Sequence, residues 1–279
     1  MKLTIVKYDR LTGIGDHVIY ALNRLFIKKK NEILYFDFRN YFYSNIKNKN
    51  IWEEFFYQPF KKHKKIIRQK IKANDYDLEY NKPIKNELTY TNKNGLKNLK
   101  NYKKIKKLRK VFKKYIKFKP TIIKETDVFY KKNIRNNSMS VHLRGTDKFL
   151  GHAKNVNFII NFQERIIDKI KKFKHKNKIS KIFLATDDQD MKNMMKKNFM
   201  DSLVNKNLSL KKNKVSLHFG SMFESEKIKI KNCKDALIDA ILISRCDESL
   251  VCQSNLSIIS ILMRADKKYD FLDSHIKYS

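Results

Sequence analysis

Met139-Ser-Val-His-Leu-Arg-Gly-Thr-Asp147 reads as a buried strand, Met139 to Leu143, that breaks off into charge at Arg144 and Asp147. Downstream of it the hydrophobic period switches regularly between helix and strand. A helix is predicted from about Asn157 to Phe173, a strand from Lys181 to Ala185 and a helix from about Asp190 to Asn198. The alternation continues with a strand at Val215 to His218, a helix at Asp235 to Arg245, a short strand at Ser249 to Cys252 and a helix at Leu256 to Met263. Strands alternating with helices of this length imply an α/β fold with a parallel sheet covered on both faces. Ligands on such sheets bind beyond the carboxyl ends of the strands.

Upstream, Leu3 to Tyr8 is apolar and β-branched, Asp16 to Ile27 carries apolar residues at helical spacing, and Glu32 to Phe38 is apolar again, a βαβ opening. Between strand and helix lies Thr12-Gly13-Ile14-Gly15-Asp16, where the glycines permit a tight turn and Asp16 is placed to cap the helix. Such a turn points backbone N–H groups at an anion, although many Gly-rich turns are only turns. From Phe60 to Lys119 the chain is dense in Lys and Asn, as in Lys61-Lys-His-Lys-Lys-Ile-Ile-Arg68 and Lys103-Lys-Ile-Lys-Lys-Leu-Arg-Lys-Val-Phe-Lys-Lys114. Here the bases read as spread around the helices, which favours solvated helices and loops over a nucleic-acid stripe. Lys131 to Ser138 reads as a polar linker. Two domains are expected: residues 1–136, α/β with the Lys-rich helical region, and 137–279, Rossmann-like.

Composition supports folded cores, with 42% hydrophobic and 12% aromatic residues in 279. The net charge of +35, from 63 Lys and Arg against 28 Asp and Glu, would attract polyanions. Heavy use of Lys, Asn and Ile beside only 6 Gly and 3 Pro is also what drift in an AT-rich genome produces, and this takes most of the charge while leaving polyanion binding open. Cys233, Cys246 and Cys252 lie in apolar runs without a Cys-x-x-Cys pair, so they are expected as buried, reduced thiols and not as a zinc site. No leader and no stretch of about 18 apolar residues is evident. A cytoplasmic protein is expected, with peripheral contact to an anionic membrane through its Lys open.

Three polar clusters follow expected strands. In His142-Leu-Arg-Gly-Thr-Asp147-Lys148, Arg144 offers a rigid bidentate fork for a diphosphate, or else pairs with Asp147 to pin the turn. In Thr186-Asp187-Asp188, one carboxylate is expected to cap the next helix while the other faces the ligand. No metal site is expected there. In the third, Asp239 interrupts an apolar helix, and Ser254, Asn255 and Ser257 open the next one, either as phosphate contacts or as ordinary caps.

In this order and spacing the clusters resemble the fucosyltransferase superfamily with a His-x-Arg-x-x-Asp motif, which includes α-1,6-fucosyltransferases, nodulation fucosyltransferases and protein O-fucosyltransferases. The resemblance covers about Met139 to Met263, and Gly13-Ile-Gly-Asp16 is similar to the family's N-terminal glycine turn. It implies a GT-B-like architecture, two Rossmann-like α/β domains facing a cleft. It further implies inverting transfer from GDP-fucose as donor substrate to a glycan acceptor, with no metal and no other cofactor. By motif position Arg144 would hold the β-phosphate and act catalytically, His142 and Asp239 would read guanine, and Ser254, Asn255 and Ser257 would lie near phosphate. Asp147, Lys148, Asp187, Asp188, Gly13, Gly15 and Asp16 complete the expected donor site.

The chain also departs from the family. Gly145 stands where α-1,6-fucosyltransferases carry a second Arg, and His152 stands where they carry a Glu that is a candidate base. His152 can act as a base near neutral pH, or be an exposed loop residue. The acceptor side, the N-terminal half, shows no alignable resemblance between residues 40 and 135. Alternatives are transfer from another GDP-sugar, a fold that binds GDP-sugar without turnover, and a basic nucleic-acid-binding protein. The last is disfavoured because no reading helix or stacking platform accompanies the Lys.

Overall fold

The computed structural model describes residues 1–8, 12–39, 49–81, 102–144, 156–206, 225–264 and 269–272. Contacts divide the chain into two units. The first is Met1–Lys124 with Met222–Leu237, and the second is Glu125–Ser221 with Ile238–Ser279. The division thus falls before residue 136, and the first unit takes back a later segment.

In the first unit, strand β1 (Lys2–Lys7) lies between β2 (Glu32–Phe36) and β4 (Asp77–Tyr80), all parallel. Helix α1 (Ile14–Ile27) buries Val18, Leu22 and Leu25. The short helix α2 (Ile51–Phe55) starts at Asn50, whose Oδ1 accepts from the Trp52 N–H at 3.1 Å while its amide donates to the Phe36 carbonyl at 2.7 Å. Trp52 stacks on Phe56 of β3 (Phe56–Tyr57), which pairs antiparallel with β5 (Lys117–Phe118). Helix α3 (Lys64–Lys72) sends Ile67 onto Leu3 and Ile33.

Helix α4 (Tyr102–Tyr115) corrects the expectation of scattered bases. Its Lys103, Lys106, Lys107, Lys110, Lys113 and Lys114 are exposed, whereas Ile105, Leu108 and Phe112 are buried. At 3.6 residues per turn these lysines fall within an arc of about 120°, opposite the buried residues.

Helix α5 (Pro120–Asn133) extends into the stretch expected as a linker. Ile134 beyond it is fully buried, and the turn into the next strand is made by Asn136 and Asn137 at φ 62° and 52°. The side chain of Asn can support left-handed backbone locally, so a polar run here marks a tight helix-to-strand turn. Four residues, 134–137, connect α5 to β6.

The second unit holds a five-stranded sheet in the order β10-β9-β6-β7-β8, with every pairing parallel. These strands are β6 (Ser138–Leu143), β7 (Lys181–Thr186), β8 (Leu203–Asn205), β9 (Glu248–Val251) and β10 (Asp270–Phe271). Helices α6 (Val156–Lys176), α7 (Gln189–Phe199), α8 (Glu226–Arg245) and α9 (Asn255–Met263) lie between them in sequence. Met139, Val141 and Leu143 face one side with Ile182 and Leu184, packing on Ile166 and Ile170 of α6 and Met191 and Met195 of α7. Ser140 and His142 face the other side, and Ser140 Oγ donates to the Ile243 carbonyl of α8. The strand expected at Val215 to His218 lies outside the described residues. All three cysteines are buried and unbridged, as expected, and burial pushes the Cys233 thiol well up.

Candidate functional site

In chain order the second sheet starts at β6, builds outward through β7 and β8, then returns to the other side of β6 with β9 and β10. The switch in direction falls between β6 and β9. At such a point the successive crossovers leave in opposite directions, opening a crevice at the carboxyl ends of the two strands. Two of the expected clusters, the one after β6 and the one after β9, flank this position.

The two strands stay tied to their ends. His142 is in register with Val251, and the Cys252 N–H donates to the His142 carbonyl at 3.1 Å. His142 is buried, its Nδ1 2.8 Å from Ser257 Oγ and 3.7 Å from Cys252 Sγ. Ser254 caps α9, its Oγ accepting from the Ser257 N–H at 3.1 Å and lying 3.1 Å from Ser257 Oγ. Ser254 therefore serves as the ordinary cap that was one of its two sequence readings, and Ser257 is engaged with His142. Asn255, the first residue of α9, is buried beside them.

Asp239 reaches the same neighbourhood through helix geometry. The carboxyl end of α8 lies at the amino edge of the sheet, because the Asp247 N–H donates to the Ser138 carbonyl at 2.9 Å and Asp247 Oδ2 accepts from the Ser138 N–H at 3.1 Å. Ile243 of α8 sits at Ser140. One turn back along α8 is a climb of about 6 Å. Two residues along β6 climb about the same distance. Asp239 thus lies at the level of His142, and it is 4% exposed. A buried carboxylate at a strand's carboxyl end requires hydrogen-bond donors around it.

Arg144 follows β6 directly and is half-buried. An Arg held there presents a fixed planar fork beside the crevice. Asp147, Lys148 and His152 lie outside the described residues. Asp188 caps α7, its Oδ1 accepting from the Met191 N–H at 3.0 Å, as expected of one member of the pair. Asp187 is half-buried at the end of β7.

The glycine turn of the first unit differs from expectation. Gly13 occupies the cap position of α1 with extended backbone and no side-chain cap bond, so Asp16 does not cap the helix. Asp16 lies in the first turn, where its Oδ2 accepts from the Thr12 hydroxyl at 2.8 Å and from the Tyr8 hydroxyl. Neither glycine uses a positive φ. What Gly15 contributes is the lack of a side chain at a buried helix position.

Tyr8, Thr12 and Cys252 touch candidate residues yet were not expected in the site. The only signal for Cys252 was its place at a strand end, and Tyr8 and Thr12 flank a turn whose bonding the sequence does not encode locally. Among the described residues no cluster of His, Cys, Asp and Glu is arranged to hold a metal ion.

Neither a protein-family model nor a curated protein sequence matches the chain. Solved structures do. NodZ α-1,6-fucosyltransferase soaked with GDP-fucose superposes with a TM-score of 0.60 at 16% identity, over 95% of this chain and 93% of that one. Fucosyltransferase NodZ from Bradyrhizobium gives 0.60 at 15%, over 93% and 92%. POFUT1 in complex with GDP gives 0.54 at 14%, over 96% and 98%. The chain therefore has an α/β fold with parallel sheets like that of these fucosyltransferase structures.

Proposed function

We propose that this protein is a glycosyltransferase that transfers fucose from GDP-fucose to a glycan acceptor with inversion. The observation that carries the reading is the position of His142 to Arg144 and Cys252 to Ser257 on either side of the strand-order switch between β6 and β9. Solved structures of like fold hold GDP-fucose or GDP, which supports the donor.

In this reading Arg144 binds the β-phosphate and stabilises the charge that builds on the departing diphosphate, a task for a cation fixed before the reaction begins. Asp239, at the level of His142, accepts from the N1–H and N2–H₂ edge of guanine, which neither adenine nor uracil reproduces. The Ser257 hydroxyl orients the His142 ring through its 2.8 Å contact at Nδ1. The amino end of α9 faces the phosphates. Asp147, Lys148 and Asp187 belong to the donor site, and the base is His152. The first unit binds the acceptor. Catalysis uses no metal and takes place in the cytoplasm.

The test is thermal. GDP raises the melting temperature more than UDP or ADP does, and Arg144→Ala slows acceptor-dependent GDP release by about 10²–10³-fold while the protein stays folded. A response to UDP with none to GDP removes the donor assignment.

A further inference from the structure

We propose that the lysine face of α4 is a docking surface for an anionic lipid bilayer. Six lysines, Lys103, Lys106, Lys107, Lys110, Lys113 and Lys114, are exposed along one side of this helix. They run for about 16 Å along its axis at 1.5 Å per residue. No acidic residue occurs between Tyr102 and Lys119. Compositional drift raises Lys everywhere, but it does not also strip carboxylates from one face. The lysine-rich α6 carries exposed Glu164 and Asp168, and α5 carries Glu125 and Asp127.

The chemistry of the face selects its partner. Ile105, Leu108 and Phe112 are buried in the protein, so the helix has no apolar side left to insert into a membrane. Contact with a bilayer would then be electrostatic and confined to the headgroups. Lys is a compact, hydrated point charge on a flexible stem, suited to a fluid array of anionic headgroups that imposes no fixed geometry. Nucleic acid is served better by guanidinium forks and stacking rings. The single Arg of the helix, Arg109, is half-buried at the flank, Phe112 points inward, and Tyr115 is half-buried with the Lys114 Nζ 5.1 Å from its ring centroid.

The experiment is sedimentation of the full chain with vesicles of phosphatidylcholine alone or mixed with phosphatidylserine. It needs neither donor nor acceptor, so its outcome is independent of the proposed transferase activity. Expected are binding only to the phosphatidylserine vesicles and loss of binding with added salt. Each surface lysine is worth about fivefold in affinity. The variant K106Q/K107Q/K110Q/K114Q accordingly loses on the order of several hundredfold. A charge-matched variant, K171Q/K172Q/K176Q/K197Q, removes exposed lysines from α6 and α7 and loses much less. Melting temperatures identify any variant that has lost its fold, and the charge-retaining K106R/K107R/K110R/K114R keeps binding. Equal losses in both glutamine variants overturn the proposal, as does absence of binding to phosphatidylserine. Tighter binding to a duplex oligonucleotide than to the vesicles at the same salt overturns it in favour of nucleic acid.

Discussion

Each unit buries a polar cluster against its parallel sheet, and the two are built for opposite ends. In the first unit Arg24 of α1 lies between two carboxylates, 2.7 Å from Glu79 of β4 and 2.5 Å from Glu32 of β2, and Thr4 of β1 donates to Glu32 at 2.9 Å. Charge meets charge there, and helix and strands are locked by ions that satisfy each other. In the second unit His142, Cys252, Ser254 and Ser257 form a hydrogen-bonded cluster at the strand ends, with the carboxylate of Asp239 at the same level. Such a group can reorganise around an arriving anion at small cost. A cluster in which ions pair with one another is structural, and a cluster of hydroxyl, thiol and imidazole groups at the carboxyl edge is where ligand chemistry is to be sought.

That contrast can be broken by mutation. The largest effect is expected at Arg24→Ala, which strands two buried carboxylates and costs about 3–5 kcal/mol in denaturant unfolding. The protein that remains folded should still respond to GDP. The same cluster sets an acid limit. Burial pushes the Glu32 carboxyl up, but hydrogen bonds from Arg24, the Lys29 N–H and Thr4 outweigh it and hold Glu32 below its ordinary 4.5. A lowered folded value means that the stabilisation is complete above that pH and is lost as the solution is acidified below it. Melting temperature followed across pH should fall there in the wild type and much less in a Glu32→Gln variant.

Next comes Arg144→Ala, expected to lower kcat by about 10²–10³-fold with unchanged melting temperature in the absence of ligand. The reverse pattern, a stability loss with turnover retained, would make Arg144 structural and erase the distinction between the clusters. Asp239→Asn should weaken GDP by about 1.5–3 kcal/mol by calorimetry, the worth of hydrogen bonds to a charged acceptor. Smallest is Ser254→Ala, which removes the α9 cap for about 1 kcal/mol of unfolding free energy.

The second unit was the more legible half because its core strands obey their period. β6 alternates Met139, Val141 and Leu143 with polar residues, β7 is an apolar run, and Asp188 sits where a cap must follow a strand. The short β8 and β10 carry too few residues to show a period. The sequence pattern starts α8 only at Asp235, well after Glu226, because buried Lys229 interrupts the apolar face of its first turns. In the first unit β4 inverts the usual signal. Leu78 and Tyr80 are exposed at 58% and 54%, and the residue it buries is Glu79. Only the partner explains this, and Arg24 lies far away in sequence. The lysine face of α4 was missed for a simpler reason. With Lys104 and Arg109 added on the flanks, charge reads as continuous until burial separates the faces.

The first unit is assembled from two stretches of chain, Met1–Lys124 and Met222–Leu237. On the ribosome the early stretch emerges long before its complement, so the first unit cannot be finished until most of the second has been made. Folding cannot proceed strictly from the amino end, and the usual economy of completing one domain before synthesising the next is forfeited. A fragment cut at residue 136 would lack part of its own unit, and its carboxyl-terminal counterpart would carry that part as an unpartnered segment. Expressed separately, neither piece is expected to be soluble, and mixing them during refolding is the route by which the whole could be restored.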